Sequence, residues 1–404
     1  MFVRCDRLRQ CFVSVTICDY GRQRENPDMM NKIKSAERSS TDVMTRKELL
    51  KLLGLAGAGG LFYIAGRFWP FGVSEEAEKG MLTAGDSQWR PAYAVLEEEG
   101  RLAERIEQAY SIMENCRLCP RRCGVNRRAG QRGFCRAPEK AMVYSQQPHF
   151  GEELPLVGRG GSGTIFFSNC NLRCVFCQNW PIAHEGWGRE VSDEELAEMM
   201  LALQRKGCHN INLVTPTHVM PNILGAVRIA LQKGLYLPLC YNTSGYELAE
   251  MVRLLDGIVD LYLPDIKFMD GLEAERYNLA AAADYPLMAK ESTLEMHRQV
   301  GELITDEQGI ALRGLMIRHL VMPNRVAGTR ELVQWVAANL STKTYLNIMS
   351  QYRVEFMAFD FPLIARAITS EEFVEAVSWA KEAGLTNLDE RTLSHYELHR
   401  RRVS

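Results

Sequence analysis

The 404-residue sequence has no surplus of charge: 48 Lys and Arg stand against 50 Asp and Glu, a formal net charge of −2. No long basic stripe breaks that balance, which argues against nucleic acid as the main partner. A membrane-spanning segment is missing as well, because such a helix needs about 20 consecutive apolar residues and the glycine-rich run between Lys51 and Ala65 is shorter. The glycines of Gly158-Arg-Gly-Gly-Ser-Gly163 do not make a phosphate loop. They precede a strand-like run, whereas phosphate loops follow a strand and open a helix, so they read as a turn feeding the first strand. What is present is ordinary globular material, 46% hydrophobic and 24% charged, long enough for one large domain and a smaller one.

Cysteine is the residue in excess. Seven of the twelve lie between Cys116 and Cys177 at close spacings, a pattern of metal or cluster ligation in a reducing compartment rather than of a disulfide framework. Cys5, Cys11, Cys18, Cys208 and Cys240 have no such spacing and stay unassigned. Cys170, Cys174 and Cys177 form a C-x3-C-x2-C loop directly after a short buried strand, Thr164 to Ser168. Iron–sulfur clusters are normally held by four thiolates, so a cubane held by three keeps one iron open. As at catalytic zinc, an open position signals chemistry rather than support. The blander alternatives are a zinc loop with His184 as fourth ligand, or three buried cysteines. Upstream, Cys116, Cys119, Cys123 and Cys135 follow C-x2-C-x3-C-x11-C. Four ligands close a site, and closed sites are more often structural. Zinc and an auxiliary cluster both fit, and arginines 117, 121, 122, 127 and 128 do not decide between them.

Residues 1–43 are polar and poorly patterned, with disorder or a start placed ahead of Met44 as the expectation. Residues 44–72 hold the apolar segment. Thr45-Arg46-Lys47 at its head is similar to a twin-arginine export signal with Lys47 in place of the second arginine. Export signal, membrane-surface anchor over 44–66 and remnant are the competing readings. Residues 73–112 read as a helical linker, 113–150 as the four-cysteine module, 151–385 as the main domain and 386–404 as a tail. Within the main domain, strand-like runs at 164–168, 211–214, 237–241, 259–266, 315–321 and 345–349 alternate with helical patterns at 193–206, 222–233, 247–255, 293–304, 329–340 and 371–383. Repeated β-then-α units with near-continuous apolar strands imply a parallel sheet buried on both faces.

Cys170-x3-Cys174-x-Phe176-Cys177, with an aromatic before the last cysteine, resembles the cluster loop of radical S-adenosylmethionine (SAM) enzymes. Gln178 and Asn179 match the Cys-Gln-Asn of the pyruvate formate-lyase activating enzymes. The four-cysteine segment is similar to the module beside the radical domain in the activating enzyme-like PflX proteins and in AmmeMemoRadiSam enzymes. The resemblance covers about residues 113–385. It implies an α/β fold, a partial (β/α)6 barrel carrying a small N-terminal module. It also implies a [4Fe-4S] cluster and SAM as cofactors, reductive cleavage of SAM to a 5′-deoxyadenosyl radical, and a low-potential donor such as flavodoxin or ferredoxin. The target by this resemblance is a glycine of a partner protein, with another protein, peptide or small molecule as the alternative. From a different class, the rival is a non-catalytic zinc- or cluster-binding interaction protein. Because SAM and such donors are cytoplasmic, the expected location is the cytoplasm, with membrane association through 44–66 as a secondary expectation.

Active sites of barrel-like folds sit at the C-terminal ends of the strands. There the sequence offers Thr215 and Thr217, where activating enzymes carry a glycine-rich motif with an acid, and Asn242 in place of an acid that contacts SAM. The sharpest signal is Asp265-Ile-Lys267. Residues two apart in a strand share a face, and the pair matches the family's Asp-x-Lys, with SAM's carboxylate for Lys267 and its ribose for Asp265. His319 is expected near the ribose, and Ser350-Gln351-Tyr352 as floor. The long segment 270–292 is expected either to form a rim for substrate or to pack as an extra helix. Arg325-Val-Ala-Gly328 resembles the start of a glycyl-radical site, but Thr329 stands where an aromatic should follow and reads as a helix cap.

Overall fold

The computed structural model describes residues 89–403. Cys5, Cys11, Cys18 and the apolar segment 44–66 lie outside the described residues. Contacts divide the chain at Ala84/Gly85, and everything below belongs to the second unit. Among the described residues no helix is long and apolar enough to cross a membrane.

Nine strands build one mixed sheet. They are β1 (Ala141–His149), β2 (Ser162–Phe167), β3 (Arg189–Val191), β4 (Ile211–Val214), β5 (Leu239–Thr243), β6 (Leu261–Pro264), β7 (Ile304–Thr305), β8 (Ala311–Leu320) and β9 (Tyr345–Met349). The order runs β3-β1-β2-β4-β5-β6-β8, with β7 and β9 both paired to β8. From β2 through β4, β5, β6, β8 to β9 every pairing is parallel, the six-strand series that the apolar runs imply. The antiparallel strands β1 and β3 extend the sheet beyond β2, so the module assigned to 113–150 in fact contributes a main-sheet strand. No ladder joins β9 to β1, β2 or β3 among the described residues; the barrel is partial.

Helices cover the outer face because each parallel crossover needs one. Asp193–Arg205 starts on a capping box, Ser192 accepting from the Glu195 N–H while Glu195 reaches back, which satisfies amides otherwise left open. Thr369 and Glu372 do the same for Ser370–Glu382. Two expectations shift. The helix placed at 293–304 runs from Tyr285 to Val300, and Gly328, with φ +71°, caps Thr329–Asn339 in place of Thr329. Freed from capping, the Thr329 hydroxyl meets the His319 ring at 2.8 Å. The tail carries a further helix, Glu390–Val403, docked through Asp389 and Thr392 onto β9.

Inside the curl, a small apolar floor of Leu156, Cys240, Leu261, Leu263, Met316 and Tyr345 lies on the same strand faces as Asn242, Asp265, Arg318 and Asn347, two residues further along. The sheet thus grades from apolar floor to polar mouth.

Candidate functional site

The exit of β2 delivers Cys170, Cys174 and Cys177 to the mouth. A strap holds this loop from behind: Val175 N–H donates to Tyr277 O (3.0 Å) and Leu279 N–H to Arg173 O (3.0 Å). Segment 270–292 is therefore largely a brace packed on the loop, with Tyr277 and Tyr285 buried, and of its large apolar side chains Leu272, Leu279 and Leu287 are turned outward. The Tyr285 hydroxyl accepts from Lys267 N–H (2.9 Å) and contacts the carbonyls of Ser244 (2.8 Å) and Asp265 (2.9 Å). One side chain so fixes the exits of β5 and β6.

The three cysteines share a cavity of ≈ 280 Å³ with Thr215, Asn242, Asp265, Lys267 and Arg318. Asp265 is its electrostatic hub. Its carboxylate accepts from Lys267 Nζ (2.7 Å) and Arg318 Nε (2.7 Å). Arg318 also donates to Asn242 Oδ1 (2.6 Å) and Glu152 (3.2 Å). Burial alone would push the Asp265 carboxyl up, but the charges of Arg318 and Lys267 outweigh it and hold it at about 2. Two cations and two anions, all mostly enclosed, stay ionised by facing one another.

Burial dominates the thiols. It pushes Cys177 up to about 12 and Cys174 higher still, Lys267 only partly offsetting the latter. Such thiols are poor nucleophiles at neutral pH, and a positively charged metal centre is what would hold them as thiolates. His184 is not arranged as a fourth ligand. Its Nε2 bonds the Cys174 carbonyl (3.0 Å), its ring packs on Phe356, and burial lowers its pKa to about 4.

Other expected residues are sorted by the geometry. Thr215 lines the cavity from a left-handed backbone position, φ +61°. Thr217 does not; its hydroxyl donates to the buried Glu247, as does Thr243. Asn242 is present, but its Oδ1 already accepts from Arg318. Gln178 and Asn179 line the cavity, as does Gln351. His319 is a correction: it sits on the opposite face of β8, its Nδ1 bonded to Ile266 O (2.6 Å) and its ring neutral, and does not line the cavity. Arg318 occupies the place expected for it. Both faces of β8 are buried, so polarity does not mark the inward one; only counting alternate residues back from Leu320 would have found Arg318.

Cys116, Cys119, Cys123 and Cys135 come together around a separate, small enclosure that Arg127 and His218 also line. Among the described residues no three Cys, His, Asp or Glu side chains converge closely enough to close on a single metal ion.

An incomplete parallel barrel in an α/β fold thus gathers three thiols and an ion-paired lysine at its mouth. The chain belongs to the radical SAM superfamily, whose family model matches residues 164–271. Membership implies a [4Fe-4S] cluster and SAM. An uncharacterized protein of Methanocaldococcus jannaschii is 35% identical over 292 residues, 70% of this chain and 78% of that protein. A second uncharacterized protein of the same organism is 28% identical over 177 residues, 38% of this chain and 49% of that one. The solved structure of methylornithine synthase overlaps 56% of this chain and 69% of its own, at 15% identity and a TM-score of 0.32.

Proposed function

We propose that Cys170, Cys174 and Cys177 hold the [4Fe-4S] cluster and that Lys267, Asp265, Asn242 and Thr215 receive SAM beside it, for hydrogen abstraction from a protein substrate. The observation that carries this is the meeting of three buried thiols and an ion-paired lysine in one cavity of ≈ 280 Å³. When bound, the cluster supplies one electron that breaks a carbon–sulfur bond of SAM. The chain's own groups bind and orient. Lys267 offers a carboxylate a cation already aligned by Asp265, and Asp265 keeps acceptor capacity for ribose hydroxyls. Phe166, Phe176 and Ile182 line the same cavity and exclude water. Arg318 is a positioning residue, clamping Asp265 and Asn242 together. A low-potential flavodoxin- or ferredoxin-type donor would supply the electron.

Changing all three cysteines to Ala is expected to abolish reductive SAM cleavage to 5′-deoxyadenosine; undiminished cleavage would remove the reading. For the substrate, a glycine on a partner enzyme is the favoured target, by similarity of Cys170–Asn179 and Asp265–Lys267 to activating enzymes. Anaerobic incubation with glycyl-radical enzymes of the same cell should give a glycine-centred doublet in electron paramagnetic resonance on one of them. Silence from all of them moves the target to another protein, peptide or small molecule.

A further inference from the structure

We propose that Tyr285 is a positioning residue whose hydroxyl sets Asp265 and Lys267 at a fixed distance from the cysteine loop, and so fixes the gap that SAM has to span. This deepens the SAM reading and rests on it.

The two halves of the cavity come from separate elements. The thiols arrive on the loop after β2, and Asp265 and Lys267 stand at the exit of β6. In the sheet, β4 and β5 lie between those two strands, so no ladder sets one half directly against the other. Misplacement by about 1 Å can cost a hundredfold in rate, and something besides the sheet has to hold the gap.

The strap spans it. At one end it pairs with the cysteine loop: Cys174 and Asn278 form an antiparallel bridge, flanked by the Val175–Tyr277 and Leu279–Arg173 bonds. At its other end Tyr285 turns back into the core. A hydroxyl carries one proton and can accept as well. This one accepts from the Lys267 backbone N–H (2.9 Å) and lies within donating reach of Ser244 O (2.8 Å) and Asp265 O (2.9 Å). A single oxygen thus meets both ends of the Asp-Ile-Lys turn and the exit of β5.

Two further links close the frame. Asn171, buried inside the cysteine loop, donates to Tyr246 O (2.7 Å). The Tyr246 hydroxyl in turn donates to Asp284 (2.8 Å), the residue before Tyr285. Phe268, next to Lys267, meets Phe176 of the loop at 5.9 Å between ring centres and Tyr277 and Tyr285 at 6.1 Å each. Tyr285 itself is fully buried and does not line the cavity. Burial pushes its phenol well above the usual value, so it keeps its proton. It holds the site and does not react.

The test compares two substitutions in the full chain, purified anaerobically. Tyr285→Phe removes the one oxygen and leaves the aromatic packing. Tyr262→Phe removes another buried hydroxyl, bonded to Gln299 (2.6 Å), on a side chain that does not line the cavity. Both should lower the thermal midpoint with iron content unchanged. Only Tyr285→Phe should raise the SAM dissociation constant, about tenfold for one lost hydrogen bond. It should also shrink the change that SAM makes in the electron paramagnetic resonance spectrum of the reduced cluster. Affinity and spectrum equal to those of the unaltered protein overturn the proposal, as do equal losses of SAM affinity in the two variants. If Tyr285→Phe does not fold, Tyr246→Phe decides: losing the bond to Asp284 should weaken SAM binding about threefold, and unchanged affinity refutes the proposal. Failure of the SAM reading looks different, because Lys267→Ala would then retain SAM as the unaltered protein does, and the proposal falls with it.

Discussion

Asp265 and Glu247 are both enclosed carboxyls, and their neighbours drive them in opposite directions. Asp265 faces two cations, so Asp265→Ala leaves Lys267 unpaired and should cost about 3 kcal/mol in urea unfolding at pH 7. Its carboxyl is held at about 2 when folded, against about 3.9 unfolded. The stability it lends is present above about pH 4 and is lost as pH falls toward 2. Glu247 meets only the hydroxyls of Thr217 and Thr243, and burial raises it to about 7. The folded state keeps its proton after the unfolded chain has released it, so stability falls as pH rises from about 4.5 to 7 and then levels. Glu247→Gln removes that slope, and the variant should gain about 3 kcal/mol on the wild type between pH 4 and pH 8, read from denaturation midpoints at both. Sequence spacing picked out Asp265 and Lys267 because a charged pair two apart in an apolar strand is conspicuous. It missed Glu247, whose significance depends on a threonine 30 residues away.

Turns at the strand exits set the site as much as the strands do. Gly245 has φ +78°, and a Cβ there would stand 2.6 Å from Asp265 O. Gly234 has φ +93° but open space around it. Gly234→Ala should therefore cost backbone strain alone, about 1 kcal/mol, whereas Gly245→Ala should cost more and also weaken SAM retention in equilibrium dialysis. Equal losses in the two variants would deny that the β5 exit positions Asp265. The elements that escaped sequence reading have a common cause, the lack of an apolar rhythm. β1 reads Ala-Met-Val-Tyr-Ser-Gln-Gln-Pro-His and buries only two of its nine residues. Glu390–Val403 buries only Thr392 and Tyr396. The parallel strands were legible because both of their faces are covered, which makes each a short apolar run. The strap was ambiguous because its alanines pack as well on a loop as at a rim.

At the scale of the molecule, residues from Gly85 onward form a single contact unit anchored at its start. Ala92 N–H donates to Asp260 (2.8 Å) and Tyr93 OH to Leu237 O (2.9 Å). A chain beginning at Gly85 should show the same thermal midpoint for this unit as the full chain and cleave SAM at the same rate; a lower midpoint would mean that earlier residues support the barrel. The six-unit architecture and the mouth were readable in advance, but the way the curl is shut was not, since it depends on side chains far apart in sequence. Among the described residues no ladder joins β9 to β1, β2 or β3. Asn347 instead donates to Glu153 (2.8 Å), Arg318 to Glu152 (3.2 Å) and Arg391 to Gly151 O (2.7 Å). Each such bond nets about 1 kcal/mol. Side chains that reach across to the loop after β1 thus tie this seam, so single substitutions can remove its ties one at a time, which no single substitution does to a ladder.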